Sequence, residues 1–260
     1  MNKLLAGFMF FIAGQVHAME MVSDPQLENL FSEAGVDGTF VLYDVSAERM
    51  TAHNLPRAEQ RFIPASTFKI ANSLIGLATG AVASVEEALP YGGKPQPYGS
   101  WEQDMGLRDA IKISNVPVYQ ELARRIGLES MRENLESIPY GNHATGNEVD
   151  TFWLKGPLQI SALEQAQFLA RLARGELPYT AEIQRSVREI LRLEQRDERT
   201  LYGKTGWTTT PDPDIGWWVG WVVKDDDVHS FALNIDVQDK GDIGKRIELG
   251  KACLKALGIF

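Results

Sequence analysis

Segments with strand character lie at the two ends of this chain and are nearly missing from its middle, so any sheet has to be built from both ends at once. Gly38-Thr-Phe-Val-Leu-Tyr-Asp44 is a β-branched and aromatic run bounded by turn residues, and a second extended piece at residues 50–53 follows a polar turn; together they read as a hairpin. Near the other end Asp214 to Lys224, with Trp217, Trp218, Val219 and Trp221, leads through Asp225-Asp226-Asp227 into another run at residues 230–236. Each pair is flanked by a helix. Asp24-Pro25 opens one, with Leu27, Leu30, Phe31 and Ala34 at helical spacing up to Gly35; residues 242–257 form the other, with an apolar face of Ile243, Ile247, Leu254 and Leu257. In between, residues 107–113 and 117–126 read as helices, and Ser161-Ala-Leu-Glu164 is a capping box leading into Phe168, Leu169 and Leu172. The expected fold is mixed α/β of the α+β type: an antiparallel sheet flanked by helices, with an all-helical lobe inserted from the middle of the chain. Residues 90–99 are rich in Pro and Gly and 140–147 in Gly and Asn, which makes them loops rather than linkers. Residues 19–260 are therefore expected to form one domain.

The first 18 residues are of another kind. Lys3 gives a positive start, residues 4–13 are apolar, and Val16-His17-Ala18 ends in a small residue suited to signal-peptidase cleavage. Gly14, Gln15 and His17 interrupt the run well short of the ~20 apolar residues that cross a bilayer. A cleaved secretory signal is expected, leaving an exported, periplasmic protein without a membrane segment. Lys+Arg 26 against Asp+Glu 35 gives a net charge of −9, a field that opposes phosphate backbones and excludes nucleic acid as a partner. Cys253 is the single cysteine, which rules out an internal disulfide and any cysteine-cluster metal site. His53, His143 and His229 are far apart and form no metal-binding pair, so no metal is expected.

Three short motifs carry the chemistry. Ser66-Thr-Phe-Lys69 opens the apolar segment Ile70, Leu74, Ile75 and Leu77, so Ser66 and Lys69, three apart on a helix start, share one face. This sets an amine beside a hydroxyl and leaves the amide of Ser66 at a helix N-terminus, where an oxyanion could be held. With 13 serines and 11 lysines, chance alone supplies about half a match to that spacing, so it needs support. Lys204-Thr205-Gly206, in a stretch of strand character, is far more specific, with about 0.04 matches expected by chance. Lys204 offers a fixed charge to a carboxylate, and Gly206 lets a ligand approach the backbone. Ser114-Asn115-Val116 lies between helices, where a hydroxyl could relay a proton to a leaving amine.

In this order the three motifs resemble those of the serine penicillin-recognising enzymes, S-x-x-K, S-x-N or S-x-V, and K-T-G. Val116, Tyr140-Gly141-Asn142 and Trp153-Leu-Lys-Gly-Pro-Leu158 resemble the class D (oxacillinase-type) β-lactamases, and the likeness runs through Phe231-Ala-Leu-Asn-Ile-Asp236 to Arg246. The resemblance implies a β-lactamase/transpeptidase-like fold and hydrolysis of β-lactams, penicillins foremost, by a monomer or weak homodimer. It implies Ser66 as nucleophile, the amides of Ser66 and Trp207 as oxyanion donors, and Lys69 carbamylated by carbon dioxide (N6-carboxylysine) as general base, held by the indole N–H of Trp153. Ser114 and Lys204 would pass protons to the departing nitrogen, Thr205 and Arg246 would bind the substrate carboxylate, and Val116, Gly206 and Trp207 would complete the substrate site. No cofactor is implied beyond carbon dioxide or bicarbonate. Val116, Phe68 and Leu154 supply the apolar walls that depress a lysine pKa and so leave an amine free to react with carbon dioxide.

Other readings are weaker. No G-x-S-x-G elbow is present, which removes the usual esterase. Glu148 reads as a surface carboxylate, the Trp217-Trp218-Trp221 cluster as core, and Cys253 as a small buried hydrophobe. The alternative within the same chemistry is a β-lactam sensor or penicillin-binding protein that is acylated and turns over poorly.

Overall fold

In the computed structural model, which describes residues 20–210 and 212–260, the strands from the two chain ends meet in the middle of one sheet. The expected signal segment, residues 1–18, lies outside the described residues. The strands are β1 (Glu20–Ser23), β2 (Gly38–Asp44), β3 (Arg49–His53), β4 (Arg61–Phe62), β5 (Ile160–Ser161), β6 (Arg192–Arg196), β7 (Arg199–Thr208), β8 (Asp214–Lys224) and β9 (Asp227–Val237). The helices are α1 (Pro25–Ala34), α2 (Leu55–Glu59), α3 (Lys69–Ala78), α4 (Leu107–Lys112), α5 (Val116–Ile126), α6 (Leu128–Ser137), α7 (Phe152–Lys155), α8 (Ala162–Arg174), α9 (Ala181–Ile190) and α10 (Lys245–Ala256). Seven strands form the main sheet in the order β1-β3-β2-β9-β8-β7-β6, and β4 pairs with β5 apart from it. The seam between the chain ends is β2 against β9, antiparallel from Gly38 opposite Ile235 to Asp44 opposite His229.

Period-two alternation gives each face of the sheet its own core. Trp217, Val219 and Trp221 of β8 join Val41 and Ala232 under the helical lobe, whereas Trp218 and Val222 face the other way with Phe40, Phe231 and Leu233. Leu27 and Phe31 of α1 and Leu249, Cys253 and Leu254 of α10 cover that second face. The helical lobe surrounds α3, whose first eight residues are all buried.

Two details differ from the expectations. The C-terminal helix is not continuous over 242–257: a 3-10 turn at Lys240–Gly244 precedes α10, whose inward face is Leu249, Gly250, Cys253 and Leu254, so that at about 100° per residue Ile247 falls at the edge of that face. Leu249 and Cys253 point inward in place of Ile247, which is 37% exposed. The edge strands β1 and β6 carry no alternating apolar pattern; Arg-Leu-Glu-Gln-Arg in β6 is charged as sheet edges usually are.

Candidate active site

The chain turns sharply just before Ser66. Ala65 holds a left-handed backbone (φ 50°), a strained geometry for a residue with a Cβ, and begins a 3-10 turn, Ala65–Phe68, that runs directly into α3. Around that turn the Pro64 carbonyl accepts from both the amide (3.2 Å) and the hydroxyl (2.8 Å) of Thr67, and Gln165 Nε2 of α8 donates to the same hydroxyl at 2.8 Å. The side chains of Ser66 and Lys69 meet one turn apart, Lys69 Nζ donating to Ser66 Oγ at 2.9 Å. Lys69 is completely buried. That burial, reinforced by the nearby charge of Lys204, holds its pKa well below the ordinary lysine range.

Trp153 of α7 packs on this turn, its ring 5.4 Å from that of Phe68. The indole is fully buried, and its Nε1 is among the buried polar atoms without a partner. A buried N–H left without an acceptor costs free energy unless a ligand or modification supplies one.

Strand β7 brings the second group of residues. Lys204 Nζ donates to Ser114 Oγ, and to the Thr205 carbonyl at 2.9 Å. Burial, with Arg246 as a second cause, lowers the Lys204 pKa to about 7. Ser114 is itself in the left-handed region (φ 56°), between α4 and α5, while the Asn115 side chain caps α5 by accepting from the Val118 amide at 3.1 Å. Gly206 is required by space: a Cβ there would lie 2.9 Å from the Pro64 carbonyl oxygen and 3.1 Å from Thr67 Cγ2. The strand therefore lies directly against the turn that carries Ser66. Arg246 reaches over from α10 and donates to the Gly206 carbonyl at 2.6 Å; its Nε is buried without a partner, and burial lowers its pKa to about 10.

Between these elements is a cavity of about 410 Å³ lined by Ser66, Ser114, Val116, Leu154, Thr205 and Trp207, with Gly206 and Arg246 at its border. Lys69 and Trp153 lie behind this lining. Trp207 is bulky but tethered, its indole donating to Asp214 Oδ2 at 3.0 Å. Sequence reasoning missed the aromatic wall, in which Tyr98 and Trp101 pack edge to face at 4.8 Å and the Trp101 indole donates to the Ile113 carbonyl at 3.0 Å. Two large aromatics inside an otherwise Pro/Gly-rich loop were the available signal.

Other motif residues brace the site from outside it. Asn142 donates to the Pro157 carbonyl at 3.0 Å and accepts from the Gln159 amide at 3.0 Å, tying the loop after Tyr140 to the segment after α7. Arg57 bridges Asn234 (2.9 Å) and Asp236 (2.5 Å) on β9. Glu148 is exposed and accepts from the Thr151 hydroxyl at 2.7 Å. Among the described residues no group of three or more His, Cys, Asp or Glu side chains is placed to hold a metal ion.

Residues 16–255 match the family model described as a penicillin binding protein transpeptidase domain. The chain is 37% identical to β-lactamase OXA-5 of Pseudomonas aeruginosa over 99% of this chain and 98% of that one, and 38% identical to β-lactamase OXA-48 of Klebsiella pneumoniae over 97% of each. Among solved structures, FUS-1 (OXA-85), a class D β-lactamase from Fusobacterium nucleatum subsp. polymorphum, superposes with a TM-score of 0.89 at 43% identity, over 92% of this chain and 99% of that one. The chain belongs to the class D β-lactamases. The antiparallel sheet with its helical lobe is thus the penicillin-binding-protein-like architecture of this family, and in this class D β-lactamase both chain ends supply the sheet.

Proposed function

We propose that this class D β-lactamase hydrolyses β-lactam antibiotics, penicillins foremost, through an acyl-enzyme on Ser66 with carbamylated Lys69 as general base. The observation that carries the reading is the Ser66–Lys69 contact: a hydroxyl in hydrogen-bond reach of an amine so buried that its neutral form is favoured. Only a neutral amine adds to carbon dioxide, and the anion formed there needs a donor; the buried Trp153 Nε1, without an acceptor, fits that need. When carbon dioxide is bound as a carbamate on Lys69, it supplies a carboxylate-type base beside the serine.

The chain's own residues do the rest. Ser66 Oγ gives up its proton on the Lys69 side and attacks the lactam carbonyl, and the amides of Ser66 and Trp207 receive the oxyanion across the close contact at Gly206. The nitrogen released by ring opening takes a proton from Ser114, replenished from Lys204 through their hydrogen bond. Thr205 and the free Nε of Arg246 hold the substrate carboxylate, and Val116 and Leu154 keep the region above Lys69 apolar. The leader at residues 1–18 directs the enzyme to the periplasm, and no helix among the described residues is long and apolar enough to cross a membrane.

Carbon-13-labelled bicarbonate should give a carbamate resonance at neutral pH that disappears in Lys69→Ala and weakens in Trp153→Phe and Val116→Asp. Activity should fall in degassed acidic buffer and return with bicarbonate. Absence of both the resonance and the rescue would refute the role of Lys69. A chromogenic cephalosporin should be turned over linearly well past one equivalent; a plateau at one equivalent would instead identify a protein that is acylated without efficient hydrolysis.

A further inference from the structure

A second cavity, about 400 Å³, lies between β6 and β7 and is bordered by Lys204 and Thr205 of the proposed mechanism, but its remaining lining plays no part in that chemistry. It shares Lys112 and Thr205 with the cavity at Ser66 but does not include Ser66. Its lining is apolar on one side, with Ile190, Leu201, Leu193, Trp218 and Ile247. Leu193 and Ile247, 55% and 37% exposed, are two of the seven exposed large apolar side chains among the described residues, and both border this one space. Gly203 keeps the floor open: a Cβ there would lie 3.1 Å from Leu193 Cδ1 and 3.4 Å from Trp218 Nε1.

The rim has the opposite character. Lys112, Arg192 and Lys251 border the cavity, and a shallower depression that shares Lys112, Arg192 and Leu193 continues it past Arg108, Arg185 and Arg188. Lys112, Arg108 and Lys251 are paired with Asp109, Glu86 and Glu194, whereas Arg192, Arg185 and Arg188 have no ion pair among the described residues and set a local positive sign in a chain with a net charge of −9. Of the acids bordering the two spaces, Glu189 and Glu194, the latter is already tied to Lys251 at 2.7 Å and Arg196 at 2.5 Å. An apolar wall beside a cationic rim is complementary to an anion with an apolar body and to neither a metal cation nor a neutral polar molecule.

We propose that this cavity is a second ligand site for a small amphipathic anion, a carboxylate or sulfonate on an aromatic or aliphatic body, with the body on Trp218, Leu193 and Ile247 and the head at Arg192. Because Thr205 and Lys112 border both cavities, occupancy changes the apparent affinity of the Ser66 site for its substrate. That kinetic consequence rests on the reading of Thr205 as a substrate-binding residue; the binding itself does not.

The probe is 8-anilinonaphthalene-1-sulfonate, whose fluorescence rises in apolar surroundings, titrated into the intact enzyme. A saturable signal displaced by octanoate is expected, with affinity at least tenfold weaker in both Leu193→Glu and Ile247→Glu, positions exposed enough to accept a charge without loss of the fold. Wild-type affinity in either variant would overturn the site, and so would complete competition between the probe and a slow β-lactam acylating Ser66, which would place the probe in the Ser66 cavity; the reciprocal of the proposed coupling is only a partial weakening that saturates. Octanoate should raise KM for a chromogenic cephalosporin to a plateau in the wild type and leave both variants unaffected. No change in wild-type KM would overturn the coupling, whereas failure of the β-lactamase reading would appear as absent turnover with the probe signal intact.

Discussion

Lys69 Nζ stands 2.9 Å from Ser66 Oγ across a single turn of chain, and no part of the lysine side chain is open to solvent. Neither residue achieves this alone. The strained Ala65 aims the serine at the cavity, while Phe68 and the first buried turns of α3 enclose the lysine behind it. The dyad therefore presents a nucleophile to solvent and hides its base. Ser66→Ala should preserve the fold, because the residue borders a cavity and its hydroxyl accepts only the lysine bond, yet lower kcat/KM by more than about 10³-fold. Intact-mass measurement after exposure to a slow β-lactam should find one bound molecule on the wild type and none on the variant. An adduct on Ser66→Ala would move the nucleophile elsewhere.

Arg246 reaches the active-site border from the far end of the sequence, and its anchor is the Gly206 carbonyl beside the cavity. A charge-assisted contact to a substrate carboxylate contributes about 1.5 to 3 kcal/mol, so Arg246→Ala should reduce kcat/KM by about 10- to 150-fold, chiefly through KM. Removing this cation also takes away one of the two causes that depress Lys204, which should then keep its proton to higher pH. An unchanged kcat/KM across several β-lactams would leave Arg246 with only its backbone contact.

Lys204 makes stability depend on pH in a direction that can be worked out. In the fold its pKa is about 7, whereas a lysine in the unfolded chain stays protonated to about 10.4. Between those values unfolding takes up a proton, so this group makes the fold more stable as pH rises from about 7 to 10, with a slope of at most about 1.4 kcal/mol per pH unit. Below pH 7 it is protonated in both states and contributes no slope. Lys204→Met should flatten the rise of Tm over pH 7–10. An identical slope in wild type and variant would show that the ammonium keeps its charge in the fold.

Much of this site was legible because its parts are local. Ser66 with Lys69 is an i, i+3 relation on one helix start, and Lys204-Thr205-Gly206 is a contiguous run on one strand, so each could be read before the fold was known. Arg57, Gln165 and Asp214 were not legible: each acts through a partner at a distance set by strand order or helix packing, as with Gln165 on Thr67 or Asp214 on the Trp207 indole. The fold shows the same division. The capping box at Ser161 and the hairpins at both ends were readable from local pattern, whereas β1 and β6 owe their pairing to neighbouring strands, and the inward face of α10 is centred on Gly250, which packs on Trp218 and offers no apolar side chain to read.

Gly250 gives a test of packing against propensity. It lies inside α10, where alanine is preferred to glycine by about 1 kcal/mol on helix propensity alone. A Cβ at this position would stand 2.2 Å from Cε3 and 2.5 Å from Cζ3 of Trp218, a ring only 1% exposed and packed on Phe231 at 4.5 Å between centroids. The indole has no room to retreat, so α10 must lift from the sheet, and overpacking of this kind costs about 1 to 3 kcal/mol or more. Gly250→Ala should therefore lower Tm by several degrees. Gly241, in the 3-10 turn before the same helix, has nothing within 4 Å of its notional Cβ and no left-handed φ, so Gly241→Ala should be neutral or raise stability by up to about 1 kcal/mol through the unfolded chain. Thermal melts of the two variants side by side decide the matter: if Gly250→Ala melts at or above the wild-type temperature, the close contact between α10 and Trp218 does not limit the packing of this face.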